Sequence, residues 1–296
     1  MKRVAIISSG SELLYGKKAD TNSGYISSRL FPLDLRVVMV MVTGDDPVGL
    51  ERAIRHALSE SDIVIMTGGL GPTDDDRTIE TLRKIFGFGT VLDGPSRERM
   101  DALFRKIGMP MTDRDLKMVE VPSGATVLPN ETGLAPGFMI RHGDRILMAL
   151  PGVPAEAAGM VDRIVLPFLQ AECGIGTRES LSFKVVGMKE SDINAAVLSM
   201  NIPFDGLEWG MTASGGMTTV TFVAMDGGTI DAEEITAKAE KIFRERYLDP
   251  AWERPEEEVI AILRKRNMTL AIAESCTGGL ISKRITDIPG SSDVFI

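Results

Sequence analysis

Four nearly uninterrupted apolar runs constrain the fold of this sequence more than any other feature. They are KRVAIIS (2–8), LRVVMVMV (35–42), DIVIMT (62–67) and RILMAL (145–150). Runs of Val, Ile, Leu and Met with few polar interruptions suit parallel strands covered on both faces. Helical patterns fill 20–30 and 47–59, and another follows at 75–86. Asp46 before Pro47 has the form of a helix start, with an acceptor side chain at the cap and a proline where no N–H is needed. Parallel strands alternating with helices require right-handed crossovers, which predicts an α/β protein with a doubly wound, mostly parallel sheet. Residues 95–106 read as a charged helix and 154–170 as a closing helix. The Pro-, Gly- and Thr-rich stretch 120–138 reads as loops and a hairpin.

The pattern changes after 171–178. A strand at 180–186, a helix at 191–199, a strand at 217–224 and a long amphipathic helix at 231–247 read as a small α+β unit. After a second break at 248–255 come a helix (256–266), a short strand (270–273) and a Gly-containing turn leading into a helix (274–285). A piece of roughly forty residues rarely folds alone, so it reads as the incomplete start of a third α/β domain. The expected domains are 1–172, 175–248 and 254–296, in keeping with a length of 296 residues.

The segment richest in chemistry is GGLGPTDDDRT, 68–78, between a strand and a helix. Gly68, Gly69 and Gly71 allow a ligand to approach the backbone closely. The N–H groups of such a loop and helix start suit a phosphate, and Pro72 and Thr73 of the same loop are expected beside it. Carboxylates beside a phosphate would repel it, so Asp75 and Asp76 imply a divalent cation, which Mg²⁺ chemistry satisfies with one or two carboxylates and phosphate oxygens. No GK[ST] follows, so this is not a Walker loop. The plainer alternative is a tight turn with Asp caps.

Three further loops end at the same sheet edge, where open parallel sheets bind ligands. They carry Gly10 and Glu12, then Asp45 and Asp46, then Pro151, Gly152 and Glu156. Asp20, Thr21 and Asn22 read equally as a helix start or as ligand contacts. Glu131 of the NETG turn has the reach to join the site.

Composition narrows the classes. A net charge of -9 and the lack of a basic stripe argue against a nucleic-acid partner, and leave a small nucleotide open. Two cysteines, Cys173 and Cys276, form no paired spacing for a disulfide framework or zinc site. No stretch suits a signal peptide or membrane span, so a cytoplasmic protein without a membrane partner is expected. His56 and His142 fall away from the acidic loops and receive no role.

GSELLYG (10–16), DTN (20–22), TGDD (43–46), GGLGPTDDDRT (68–78), NETGLAPGF (130–138) and LPGVPAE (150–156) occur in the order that resembles the CinA, or competence-damage-inducible, family. The first domain is also similar to molybdopterin-binding proteins of molybdenum-cofactor synthesis. The resemblance covers residues 1 to about 170. It implies a metal-dependent ADP-ribose pyrophosphatase yielding AMP and ribose 5-phosphate, with Mg²⁺ or Co²⁺ and K⁺ as cofactors and a small nucleotide as substrate. On that reading Asp75, Asp76 and Glu12 are catalytic, and Asp45, Asp75 and Asp76 hold metal. Gly10, Asn22, Gly68, Gly69, Gly71, Pro72, Thr73, Pro151 and Gly152 hold the nucleotide. The alternative is a molybdopterin- or nucleotide-binding, or adenylyl-transfer, module. A third is an interaction protein with a decayed site.

Residues 175–248 resemble the family's KH-like domain without a GXXG loop, which suggests a spacer or dimer-forming module and hence a homodimer. AESCTGG (273–279) and DIPGSS (287–292) resemble the opening of the family's nicotinamide-mononucleotide deamidase domain, with Ser275 in the place of its nucleophile. The family's partner Tyr and Lys lie beyond the last residue given. Ser275 and Thr277 are therefore read as helix caps, and deamidase activity is expected only of a longer chain.

Overall fold

A computed structural model describes residues 1–225 and 227–296. The chain divides into two units, Met1–Arg178 and Glu179–Ile296. In unit 1 the elements run β1 (Lys2–Ser9), α1 (Ser11–Leu14), α2 (Thr21–Leu30), β2 (Leu35–Thr43), α3 (Pro47–Glu60), β3 (Ile63–Thr67), α4 (Thr78–Phe86), β4 (Thr90–Leu92), α5 (Gly94–Ile107) and α6 (Asp113–Lys117). There follow β5 (Glu120–Pro122), β6 (Thr126–Leu128), β7 (Gly137–His142), β8 (Arg145–Leu150), α7 (Pro154–Met160), a π turn (Val161–Val165) and α8 (Leu166–Ala171).

The main sheet is six-stranded, in the order β2-β1-β3-β8-β7-β6. The pairs β1–β2, β1–β3 and β3–β8 are parallel, while β7 and β6 add an antiparallel edge. The four apolar runs are those parallel strands, and the alternation of their side chains explains why they contain so few polar residues. Val4, Ile6, Ile63 and Ile65 pack with Ile26 and Leu30 of α2 and Val165 and Leu169 of the closing helix on one face. Ala5, Ile7, Val64 and Met66 pack with Leu50 and Ile54 of α3 and Leu82 of α4 on the other. Each fully buried Ile or Val is worth roughly 1.5–3 kcal/mol, so the two layers fix the register of the central strands.

Asp46 caps α3 as expected, its Oδ2 accepting from the Gly49 N–H at 2.7 Å with Pro47 in the first turn. The stretch expected to be loops and a hairpin holds the short strands β5 and β6 and the beginning of β7. The closing helix is interrupted by its π turn because Pro167 has no N–H to give to the Arg163 carbonyl. That turn carries Asp162, which accepts from the Tyr25 hydroxyl (2.6 Å) and Arg29 Nε (2.7 Å) of α2.

Unit 2 contains β9 (Ser180–Val186), α9 (Glu190–Ser199), β10 (Leu207–Ser214), β11 (Met217–Ala224), α10 (Ala232–Phe243), β12 (Tyr247–Leu248), α11 (Pro255–Lys265) and α12 (Leu280–Thr286). Its sheet is antiparallel in the order β10-β11-β9-β12. Phe183, Phe222 and Phe243 centre its core with Ile193 and Ile235. A separate small cluster joins Ile260, Ile285, Ile288 and Val294. The expected strand at 270–273 is only a single bridge, Leu270 to Phe295.

Candidate functional site

The parallel strands end at one edge of the sheet, and the loops that leave them enclose a cleft of about 780 Å³. That volume lies within the usual range for small-ligand sites. Gly10, Glu12 and Asp45 line it where the first two strands end, and Asn22 from the first turn of α2. Gly68, Gly69, Gly71, Pro72, Thr73, Asp75 and Asp76 line it from the third, and Pro151 and Gly152 from the fourth. These expected residues thus lie around a single cleft. Ser275 belongs to unit 2.

The Gly-rich loop is held shut by Thr78, which is fully buried. Its hydroxyl donates to the Gly68 carbonyl at 2.9 Å and its N–H to the Gly69 carbonyl at 3.2 Å. Gly68 and Gly69 have φ of 99° and 67°, and a Cβ on either would overlap Ser9 backbone or the Thr78 hydroxyl. The tip is fixed by Asp76, whose Oδ2 accepts from the Thr73 N–H (2.9 Å) and hydroxyl (2.6 Å). Lys117, at the end of α6, donates to the Thr73 carbonyl at 2.6 Å. The N–H groups of Gly69, Leu70 and Gly71 find no acceptor among the described residues. Successive unpaired N–H groups on a cleft wall form an anion-binding concavity.

The acidic residues occupy different positions. Asp45 accepts from the Ser11 N–H at 2.9 Å, and its own N–H donates to the Ser11 hydroxyl, which ties the first two loops together. Glu12 faces Lys18 at 3.5 Å, a solvent-exposed pair of little energetic weight. Asp75 is exposed and takes no side-chain hydrogen bond among the described residues. Asp20 caps α2 through the Ser23 N–H at 3.1 Å and also accepts from the Ser8 hydroxyl at 2.9 Å. Asn22, nearly buried, donates to the Gly152 carbonyl at 2.9 Å and reaches Thr67 Oγ1 at 3.4 Å. Ser8 and Thr67 also meet, so a buried polar chain joins the ends of β1, β3 and β8 to the start of α2. Those hydroxyls stand at the carboxyl ends of otherwise apolar runs, which is the sequence signal for them.

Glu131 does not line the cleft; it pairs with Arg163 at 2.9 Å. Its neighbour Asn130 is fully buried and was missed as more than a turn residue. Asn130 Oδ1 accepts from the Thr132 and Gly133 N–H groups, and its Nδ2 donates to the Ala135 carbonyl (2.9 Å) and to Glu156 Oε2 (2.7 Å). In unit 2, Ser275 is exposed in a turn and caps nothing. The cap of α12 is Glu274, which accepts from the N–H and hydroxyl of Ser282 and from the Ile281 N–H.

The model described as "Probable molybdopterin binding domain" matches residues 5–171, and that described as "CinA C-terminal domain" matches 253–296. A CinA-like protein of Dictyoglomus thermophilum is 36% identical over 297 residues, covering 99% of this chain and 72% of that protein. The chain belongs to the CinA family. Another CinA-like protein, from an Anaeromyxobacter species, is also 36% identical, with 99% of this chain and 72% of its own length covered. The crystal structure of CinA from Thermoplasma acidophilum, described as of unknown function, superposes with a TM-score of 0.51 at 32% identity. It covers 56% of this chain and 97% of that chain.

These matches correct the activity implied by the family resemblance. Hydrolysis of the pyrophosphate of ADP-ribose finds no support in them: the first unit of this CinA-family chain matches a molybdopterin-binding description, and the tail matches the CinA C-terminal domain. The assignment of the chain as an ADP-ribose pyrophosphatase therefore does not stand. Among the described residues no helix is long and apolar enough to cross a membrane.

Proposed function

We propose that residues 1–178 bind a phosphate-bearing pterin of the molybdopterin type in the cleft at the carboxyl ends of β1, β3 and β8. The observation that carries this is the row of unpaired N–H groups at Gly69, Leu70 and Gly71, on a loop locked by Thr78 and Asp76. Such a row stabilises a phosphate dianion without itself bringing in a cation. The cleft belongs to the part of the chain that matches the molybdopterin-binding description, which supports a pterin as the group attached to that phosphate.

A divalent cation fits this site only with the ligand's help. Among the described residues no three His, Cys, Asp or Glu side chains gather as a metal cage. Asp45 and Asp76 already serve backbone N–H groups. Asp75 would supply one carboxylate, and phosphate oxygens and water the rest, which is the usual habit of Mg²⁺.

The test is a calorimetric titration of the purified protein with 6-hydroxymethylpterin phosphate, with and without Mg²⁺. Saturable binding that inorganic phosphate competes away, and that Gly69→Ala weakens in a protein with an unchanged circular dichroism spectrum, is expected. Folded wild-type protein that takes up no pterin phosphate would sink the proposal.

A further inference from the structure

The cleft is rich in carboxylates and holds one cation. Glu12, Asp20, Asp45, Asp75, Asp76 and Glu156 line it, and Lys18 is the single Lys, Arg or His among the described residues on its wall. A phosphate drawn to the N–H row therefore enters acidic surroundings, where a positive group beside it decides how well it is held.

The chain pins Lys18 by its backbone and leaves its ammonium free to move. Gly16, at φ 67°, turns the chain after α1. The N–H groups of Lys17 and Lys18 then both donate to the Glu12 carbonyl, at 2.9 and 3.3 Å. Lys17 sends its ammonium over the Tyr15 ring, 5.9 Å from the centroid, and does not line the cleft. Lys18 does, although 71% of its side chain is exposed. Among the described residues its ammonium meets only Glu12 Oε1, at 3.5 Å, and the Glu12 carboxylate has no other hydrogen-bond partner. That carboxylate lies over the end of β1, where a Cβ on Gly10 would stand 2.7 Å from its Oε2. A long, exposed ion pair of this kind holds weakly. A hydrogen bond from an ammonium to a phosphate is charge-assisted and stronger, so the ligand outbids Glu12 for Lys18.

Resting on the reading of the cleft as a phosphate-binding site, we infer that Lys18 is a phosphate-binding residue held in reserve by Glu12, which it leaves for the ligand when the site fills. The exchange gives the phosphate a cationic partner in addition to the N–H row. It also frees the Glu12 carboxylate at the end of β1. Glu12 and the phosphate compete for one ammonium, so the effects of changing Glu12 and Lys18 must depend on each other.

The test is a calorimetric titration with 6-hydroxymethylpterin phosphate in the presence of a chelator, so that no divalent cation stands in for Lys18. Wild-type protein is compared with Lys18→Met, Lys18→Arg, Glu12→Gln and the Lys18→Met, Glu12→Gln double variant, each checked for folding by circular dichroism. Lys18→Met is expected to weaken binding about tenfold and to flatten its dependence on salt, and Lys18→Arg to retain most of both. Glu12→Gln is expected to tighten binding about threefold, and that gain to vanish in the double variant. Pterin phosphate bound equally by wild-type protein and Lys18→Met overturns the inference while leaving the proposed function standing. A gain from Glu12→Gln that survives in the Lys18→Met background also overturns it, because Glu12 would then repel the phosphate directly rather than hold Lys18. So does a weakening by Glu12→Gln, which would make Glu12 a contact of the ligand. Failure of the wild type to bind pterin phosphate removes both readings.

Discussion

Single residues at the cleft carry more constraint than their chemistry alone suggests. Gly69 sits at φ 67° with its would-be Cβ on the Thr78 hydroxyl, so Gly69→Ala meets backbone strain and an overlap at once. A left-handed non-glycine residue costs about 1–3 kcal/mol, and here it also displaces the Thr78 bonds that shape the phosphate loop. Thermal unfolding should show that loss, and ligand titration should show a larger fractional loss of affinity than of stability. Asn130→Asp is the harsher change. It replaces two donated hydrogen bonds with a charge facing Glu156 and the Ala135 carbonyl in a fully buried place. Breaking a buried arrangement so that a charge is left uncompensated costs about 3–5 kcal/mol, measurable as a lowered denaturation midpoint. The glycines were legible in the sequence because nothing else suits such a loop. Asn130 was not, because the sequence of a turn does not say whether its Asn faces water or Glu156.

Elements were legible where periodicity and burial agree. The central strands β1, β3 and β8 follow from apolar runs because both faces are covered, while the edge strand β2 has the same apolar run with Val40 and Val42 exposed. The strand β7 was hidden, since Gly137 starts it and Arg141 and His142 end it exposed, which leaves no long apolar run. The turn leading into helix α12 was legible, but its cap was not: Ser275 and Thr277 have the form of caps, whereas Glu274 reaches across the Gly278–Gly279 turn to do the capping. The Ser282 hydroxyl and N–H, with the Thr277 hydroxyl and Ile281 N–H, hold the Glu274 carboxyl down at about 2, against 4.5 ordinarily. The native carboxyl is thus the stronger acid. Its contribution is present above about pH 4.5 and is lost as the pH falls from there towards 2. Hydrogen exchange across residues 280–286 should show wild-type protein better protected than Glu274→Gln at pH 7. The difference should close near pH 2, and a difference independent of pH would show that ionisation of Glu274 does not support the helix.

At the scale of the whole molecule the two units differ in how they use their strands. Unit 1 is a parallel sheet between helical layers, with its cleft built only from its own loops. Unit 2 is an antiparallel sheet with helices and an aromatic core around Phe183, Phe222 and Phe243. The two cores share no residue. The break at 171–178 was visible as a change from continuous apolar runs to alternating ones, because antiparallel strands with one wet face alternate and doubly covered ones do not. Separate cores predict separable behaviour. Phe222→Ala removes a fully buried ring from unit 2 at a cost of about 3–5 kcal/mol. Calorimetry of the intact protein should show that variant lowering one unfolding transition and leaving the other in place. A fragment of residues 1–178 should fold and bind pterin phosphate as the intact protein does, consistent with the Thermoplasma acidophilum CinA chain, 97% of which is covered by the match to just over half of this chain. A fragment that folds but has lost the ligand would show that the site needs unit 2, and a single transition lowered as a whole by Phe222→Ala would show that the two cores unfold as one.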